Sequence, residues 1–259
     1  MQELGAGWCG GAQTDTAAMY YARGMVSSQQ PPPATNRLLE ALPGRDRHSL
    51  LAACETVRLV SGETLNTTGR INRVYYPTSG FISLVMSIDG PTSLDVGLIG
   101  NEGACGFQLA LGIKETTMTS TVQGSGSAVC MKMASFTRHL ADSKPLARLM
   151  GRYVNVQLNQ LAQLAACTRF HVVEERLARW LLMAQDRAHD KTFHLTHRLL
   201  GSILGVRRVG ITKAAGALQD RGLIDYVRGR ITVLDRAGLI AAACGCYEAD
   251  RDFYAQMFG

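Results

Sequence analysis

Residues 195–208 read Leu195-Thr196-His197-Arg198-Leu199-Leu200-Gly201-Ser202-Ile203-Leu204-Gly205-Val206-Arg207-Arg208, and the chain runs on through Lys213 and Leu218 to Gly222-Leu223-Ile224. Thr196 is of the type that caps a helix N-terminus, the apolar periodicity behind it breaks at Gly205, and a second helical segment opens with two arginines. A packing helix, a glycine turn and a helix with an exposed N-terminal side make the pattern of a helix-turn-helix, whose second helix enters a DNA groove. Ile211, Ala214, Ala215 and Leu218 form the inner face of that helix, which turns Arg207, Arg208, Thr212 and Lys213 outward. Two alternating segments, 224–227 and 231–234, flank Arg228-Gly229-Arg230 and read as a hairpin wing. Asp235 caps a last helix through Ala243, and no clear period is visible from Tyr247 onward.

These residue types suit DNA. An arginine near a recognition-helix N-terminus can bind guanine O6 and N7 bidentately, for about 1–3 kcal/mol of discrimination. Thr212 can reach a base edge or a phosphate, and Thr196 stands at the matching end of the first helix. Lys213, Arg228 and Arg230 suit phosphate contacts that set register without reading sequence. The charge distribution agrees: residues 169–236 hold 13 Lys/Arg against 7 Asp/Glu, a surplus equal to the whole chain's net +6. A basic segment set apart from a neutral remainder is what attraction to phosphate requires.

The chain has 259 residues, enough for two modest domains, and its composition (46% hydrophobic, 19% charged) is that of an ordinary globular protein. No apolar run approaches the ~20 residues that cross a bilayer, so no membrane partner is expected, and residues 1–33 have no basic start followed by an apolar block, so no signal peptide is expected either. Residues 1–35, rich in Gly, Ala, Ser, Gln and Pro, read as a disordered extension, with Met25 as an alternative start. Residues 36–51 read as a short helix pair broken at Pro43-Gly44, with Leu38, Leu39, Leu42, Leu50 and Leu51 toward a core. From Glu55 short strands follow: one around Val57 and Leu59, an alternating 81–89 that Val85 interrupts and Asp89-Gly90 ends, and one carrying Leu94, Val96 and Leu98. Segments 117–122 and 129–133 read as two more strands, joined by a Gly124-Ser125-Gly126 turn. The set implies a β-sandwich or small barrel over 36–144.

Pro145 starts a long helix to Thr168 that is apolar on two sides. One stripe is Leu146, Leu149, Tyr153, Val156 and Leu164. The other, Met150, Val154, Leu158, Leu161 and Ala165, approaches coiled-coil spacing and is assigned to pairing with a second copy of the chain. Segment 172–183 reads as another amphipathic helix, with Trp180 in its core face.

Seven scattered cysteines, an odd number without a Cys-x-x-Cys pair, argue against a disulfide framework and for a reducing, cytoplasmic setting. Cys244 and Cys246 read as small residues at a helix end, although one side of a metal or redox site can be built that way. His189, His194 and His197 lie close in sequence, but no cysteine or carboxylate completes a ligand pattern, so neither a metal nor a catalytic site is assigned. Nothing matches a nucleophile elbow, a phosphate loop or a zinc-protease helix. Two readings stay open beside DNA binding: a sensor whose output is protein contact, and a β-barrel enzyme using the histidines.

In order, the pieces resemble the Crp/Fnr superfamily of bacterial transcription regulators over about 36–245. The sensor half carries Gly62-Glu63-x-Leu65, Val74-Tyr75-Tyr76-Pro77-x-Ser79-Gly80 and Gly100-x-Glu102-Gly103. The DNA half carries Leu204-Gly205-Val206-Arg207-Arg208 and Leu218-Gln219-x-x-Gly222-Leu223-Ile224. The resemblance implies an α+β fold: an N-terminal double-stranded β-helix (jelly-roll, cyclic-nucleotide-binding-like) sensor at 36–144, a dimerisation helix at 145–168, a winged helix-turn-helix at 169–245 and a tail at 246–259. It also implies a homodimer on two-fold symmetric double-stranded DNA, with RNA polymerase as partner.

An effector pocket in such a fold falls at Gly106, Phe107, Gln108 and Thr117. Phe107 stands where cyclic-nucleotide binders place a ribose-holding glutamate, and no arginine lies between Lys114 and Val122 to hold a phosphate. Cyclic AMP is therefore not expected as a cofactor. An iron–sulfur cluster is not expected either, since Cys9 stands alone at the N-terminus. Val209, where relatives often carry glutamate, cannot accept a hydrogen bond from a cytosine amine, which implies a different half-site.

Overall fold

The computed structural model describes residues 35–88, 93–188 and 190–259. The N-terminal extension with Met25 and Cys9, the Asp89-Gly90 turn and His189 lie outside the described residues.

The chain enters through α1 (Arg37–Glu40) and α2 (Gly44–Ala52). Asn36 caps α1 by accepting from the Leu39 N–H at 3.1 Å, and its side-chain amide donates to the carbonyls of Pro77 and Gly103, both at 2.9 Å. One buried side chain thus fixes α1 to the sheet. Leu38, Leu39, Leu42 and Leu50 are buried as expected, whereas Leu51 falls on the outer face of α2 and is exposed.

The sheet domain comprises β1 (Glu55–Leu59), β2 (Thr64–Asn66), β3 (Gly69–Arg70), β4 (Arg73–Ser87), β5 (Ser93–Ile99), β6 (Glu115–Thr116) and β7 (Met118–Lys132). Strand order is β1-β7-β4-β5 with β2 also on β7, and β3 pairs with β6, all antiparallel. The two strands expected around Gly124-Ser125-Gly126 are one, the 15-residue β7. Its glycines serve close approach rather than a turn. Gly80 of β4 has φ +72°, and a Cβ there would overlap the Gly124 and Ser125 carbonyls; one on Gly126 would overlap Ser79. The β4–β7 register slips on both sides of Ser79 and again after Phe81, which lets two long strands bend without breaking. Val85 interrupts the alternation because the β4–β5 register also shifts at Leu84/Val85.

A helix not foreseen, α3 (Met133–Asp142), follows β7 directly, and α4 (Lys144–Phe170) follows it. Ser143 caps α4 through the Leu146 N–H at 3.1 Å, with Pro145 in the first turn. Leu146, Leu149, Tyr153 and Val156 are buried as the inward stripe. Met150 and Val154 are buried too, in the chain's own sheet core, so the first half of the stripe assigned to a partner is already covered. A helix lying in the angle between the sheet and α3 has a buried arc wider than one stripe. The second half differs: Leu158 is 61% exposed, and Leu161 and Ala165 are exposed with it.

The helical domain runs α5 (Val173–Ala188), β8 (Thr192–His194), α6 (His197–Leu204), α7 (Arg208–Asp220), β9 (Ile224–Val227), β10 (Arg230–Val233), α8 (Arg236–Ala242) and α9 (Cys246–Phe258). Strands β8, β10 and β9 form a small antiparallel sheet in that order. The segment expected to be an irregular tail is α9, which packs on α4 and α5. Half of its apolar groups are aromatic and they are interleaved with charges, so its period is hidden; Tyr247 is buried in the helical core while Phe258 packs on the sheet core.

Phe81 of β4 and Leu98 of β5 belong to the core of the helical domain. Phe81 meets Trp180 edge-on at 6.2 Å, and the Leu94 side chain lies against Gly205 of the helix-turn-helix. Sheet and DNA-type domain thus share a core. No helix among the described residues is long and apolar enough to cross a membrane.

Candidate nucleic-acid interface

Thr196 accepts from the Leu199 N–H at 3.2 Å and starts α6, a cap worth about 1 kcal/mol. Gly205 ends α6 in the left-handed conformation (φ +63°), and its N–H and that of Val206 close the turn onto Ser202 and Gly201. Ile211, Ala214, Ala215 and Leu218 hold α7 down as its inner face. Arg207, Arg208, Thr212 and Lys213 are exposed, as expected.

The wing is a two-residue hairpin. Val227 pairs with Arg230, and the loop residues Arg228 and Gly229 have φ +50° and +77°, both left-handed as a type I′ turn requires. Arg228 is the one non-glycine residue with positive φ among the described residues. Holding it there costs about 1 kcal/mol.

Between the α7 N-terminus and the wing lies a concavity of about 420 Å³ lined by Thr196, His197, Arg198, Arg208, Tyr226 and Arg228. Three of the assigned residues (Thr196, Arg208 and Arg228) meet there. Three others, His197, Arg198 and Tyr226, come from sequence positions that the groove-facing pattern of α7 does not include. His197 packs edge-on against Tyr226 at 4.6 Å, and its Nδ1 lies 3.2 Å from the Thr212 hydroxyl, which also reaches the Arg208 carbonyl at 3.1 Å. Tyr226 donates its hydroxyl to the Leu195 carbonyl at 2.8 Å. Burial, with Arg208 adding to it, holds the His197 pKa below its ordinary value, so the ring is neutral at pH 7. Burial raises the Tyr226 pKa, against the opposing pull of Arg208. The two rings thus form an uncharged floor beneath three guanidinium groups, at the N-terminal end of a 13-residue helix where an anion is favoured. Arg207, Lys213 and Arg230 are exposed around this concavity without lining it.

Residues 175–242 match the family model of the Crp-like helix-turn-helix domain. The chain carries a Crp-like helix-turn-helix domain on a Crp/Fnr-type fold. Solved structures with that fold include a regulator of the Crp/Fnr family from Eubacterium rectale (17% identity, TM-score 0.61, covering 79% of this chain and 96% of the other). FixK2 of Bradyrhizobium japonicum is similar at 15% identity and TM-score 0.62 over 74% and 98% of the two chains. CLP of Xanthomonas campestris, described as responsive to c-di-GMP, is similar at 16% and 0.60 over 74% and 100%. Comparison with curated proteins finds no match.

On this Crp/Fnr-type scaffold the residues assigned to an effector lie around the start of the 3-10 turn and β6. Gly106 (φ +91°) opens the 3-10 turn Phe107–Leu111. Phe107 turns inward and meets Tyr153 of α4 edge-on at 5.9 Å. Gln108 reaches the Thr116 hydroxyl at 3.4 Å, and Thr117 is exposed. An open cleft lies elsewhere, where α1, α5 and α9 meet, lined among others by Arg37, Glu102, Arg187, Arg236 and Tyr254.

Of the histidines, His194 is exposed on β8 and His197 is held by Tyr226 and Thr212. A different set comes together at the far end of α4: Cys167, His171, Cys244 and Cys246. Cys167 and Cys244 lie 3.6 Å apart, and Cys246 lies 3.5 Å from His171 Nδ1. The Cys167 thiol is held well below its ordinary value, first by the hydrogen bond from Cys244 and then, against burial, by His171 and Arg179. Sequence reading found half of this set, Cys244-x-Cys246; the other half lies 77 residues away and only the fold supplies it.

Proposed function

We propose that the chain is a sequence-specific DNA-binding transcription regulator, acting as a homodimer on a two-fold symmetric site. The observation that carries this is the basic concavity at the α7 N-terminus, where Arg198, Arg208 and Arg228 surround a neutral His197–Tyr226 floor beside an exposed recognition face. In this reading Arg208 and Thr212 face base edges, and Arg228, Arg230, Lys213 and Arg207 hold phosphates. The second copy pairs through the exposed half of the α4 stripe, Leu158, Leu161 and Ala165, and RNA polymerase is the partner at the promoter. The setting is the cytoplasm, and no catalytic role is assigned. Input reaches the output through the shared core: a change at β4 or β5 moves Phe81, Leu98 or Leu94, and each touches the domain that carries the recognition helix.

Binding to random and selected DNA, followed by fluorescence anisotropy across a salt series, tests the output. Wild-type affinity falls steeply with salt and is far tighter for the selected site. Arg208→Ala costs about 1–3 kcal/mol on that site and relaxes preference at one base pair per half-site. Arg230→Ala weakens all sequences alike and makes the salt slope shallower by about one. Unchanged affinity and preference in Arg208→Ala would remove α7 from the groove. Sedimentation equilibrium tests the pairing: wild type is a dimer at micromolar concentration, and Leu158→Glu shifts it to monomer.

A further inference from the structure

We propose that Cys167, His171, Cys244 and Cys246 form a closed structural site for one zinc ion, which ties the end of α4 to the α8–α9 turn. The four donor atoms all lie within 4.8 Å of one another. A tetrahedral ion with Zn–S near 2.3 Å and Zn–N near 2.0–2.1 Å separates its sulfurs by about 3.8 Å, and sulfur from nitrogen by about 3.6 Å. Two donor pairs stand at 3.6 Å (Cys167 and Cys244) and 3.5 Å (Cys246 and His171), so two of the six edges already have the lengths of such a tetrahedron.

The sequence explains why they converge. Cys167 and His171 are four residues apart at the C-terminal end of α4, on one helix face. Cys244 and Cys246 flank the glycine between α8 and α9. All three cysteines are buried, and they form a cluster of their own beside the two apolar cores. Gln163, one turn earlier on α4, donates to Cys246 Sγ at 2.9 Å, a bond of the kind that orients a metal-bound thiolate.

A second observation points the same way. Arg176 is buried, its guanidinium donates to the Leu204 carbonyl, and no carboxylate pairs with it among the described residues. Arg176 lines the same small cavity as Cys167. Three thiolates, one neutral imidazole and a divalent zinc carry a net charge of minus one, the counter-charge that this guanidinium lacks. Soft thiolate donors select zinc, copper(I) or iron–sulfur centres. Three sulfurs and a nitrogen around a single point suit zinc, whereas a two-iron cluster spreads its four ligands over two metals and holds them further apart. Binding displaces the remaining thiol protons to solvent, one per cysteine still protonated, with no redox change.

His171 is the C-cap of α4 and stands between α4 and α5, so the ion would fix the joint that carries the DNA-type domain. The test is the metal content of full-length protein purified with reductant and without chelator, together with cobalt(II) uptake by the demetallated protein. The expected results are one zinc per chain and, with cobalt, the thiolate charge-transfer band and visible ligand-field bands of a tetrahedral site. Cys246→Ser and His171→Ala should retain a small fraction of the wild-type zinc, while Cys54→Ser, in the sheet domain, should retain all of it. The wild-type cobalt spectrum does not depend on whether any variant folds. Reduced wild-type protein that takes up neither ion, or recovery from cells of a Cys167–Cys244 disulfide in place of metal, would overturn the proposal.

Discussion

The recognition face and the joint behind it are built on opposite plans. The face draws its residues from 35 consecutive positions, 196–230, and displays them to solvent. The joint behind it draws on Glu102, Arg187 and Tyr254, where the sheet and helical domains meet, and on Arg179 and Asp250 between α5 and α9; Arg179, Arg187 and Asp250 are buried and the other two half-buried. Arg187 Nε donates to Glu102 Oε1 at 2.8 Å, Arg179 Nη2 to Asp250 Oδ2 at 2.5 Å, and the Tyr254 hydroxyl to the Glu102 carbonyl at 2.8 Å. These partners are 85, 71 and 152 residues apart. Charge on the face is open to a partner; charge in the joint fixes α5 to the sheet domain and to α9. A substitution on the face should therefore change binding and leave stability alone, and one in the joint should do the reverse.

The largest effect is expected in the joint. Arg179 and Asp250 are each almost fully buried, and burial holds the Asp250 carboxyl above its ordinary value in spite of the facing guanidinium. Arg179 Nε and Asp250 Oδ1 make no hydrogen bond. Arg179→Ala leaves the carboxylate alone in a low-dielectric site and should cost about 3–5 kcal/mol in urea unfolding. The double variant Arg179→Met/Asp250→Leu should recover most of that, because a pair with two orphaned atoms repays little of its desolvation. A double variant as unstable as the single would mean that the pair contributes more than it costs to bury.

Asp95 sharpens the contrast through pH. It is buried on β5 beside the helical domain, where it accepts from the Ser83 hydroxyl at 2.6 Å and the Gly97 N–H at 3.2 Å. Burial outweighs both bonds and the attraction of Arg187, and pushes its pKa up to about 7 from 3.8. The folded state thus prefers the protonated acid. The contribution of Asp95 to stability is greatest below about pH 4, falls as pH rises through about 7, and then levels off. Asp95→Asn should remove that fall, so its advantage over wild type should grow from none near pH 4 to about 2–4 kcal/mol at pH 8. A parallel pH dependence in the two proteins would show that Asp95 is not the group responsible.

The same division decides what was legible in the sequence. Helix caps, a glycine C-cap and an i, i+3, i+4 inner face are local rules, so Thr196, Gly205, Ile211 and Leu218 could be placed from spacing alone, and the exposed arginines with them. The glycines of β7 misled because a turn and a close approach of two backbones both select glycine, and the difference lies in Gly80, more than 40 residues earlier. Met150 and Val154 misled because an apolar stripe records that a face is covered, not by which chain. His197 and Tyr226 were missed because their shared role depends on how the wing folds over α6. The zinc-type cluster was half visible for the same reason, since Cys167 and His171 meet Cys244 only after α8 has packed on α5 and α9 on α4.

Arg228 gives the smallest effect and the cleanest separation, since it belongs to the face yet carries a local strain. Its φ of +50° is imposed by the two-residue loop that aims the wing, and glycine takes that conformation without penalty. Arg228→Gly should therefore stabilise the domain by about 0.5–1 kcal/mol. The same change removes one of the three guanidinium groups around the concavity at the α7 N-terminus, so DNA affinity should fall for all sequences and the salt slope should become shallower by about one. Opposite signs in the two measurements would mean that arginine is kept in a strained position for its charge. If stability rose while affinity and slope stayed put, the wing would lie clear of the phosphates, and the face would narrow to α7 and the start of α6.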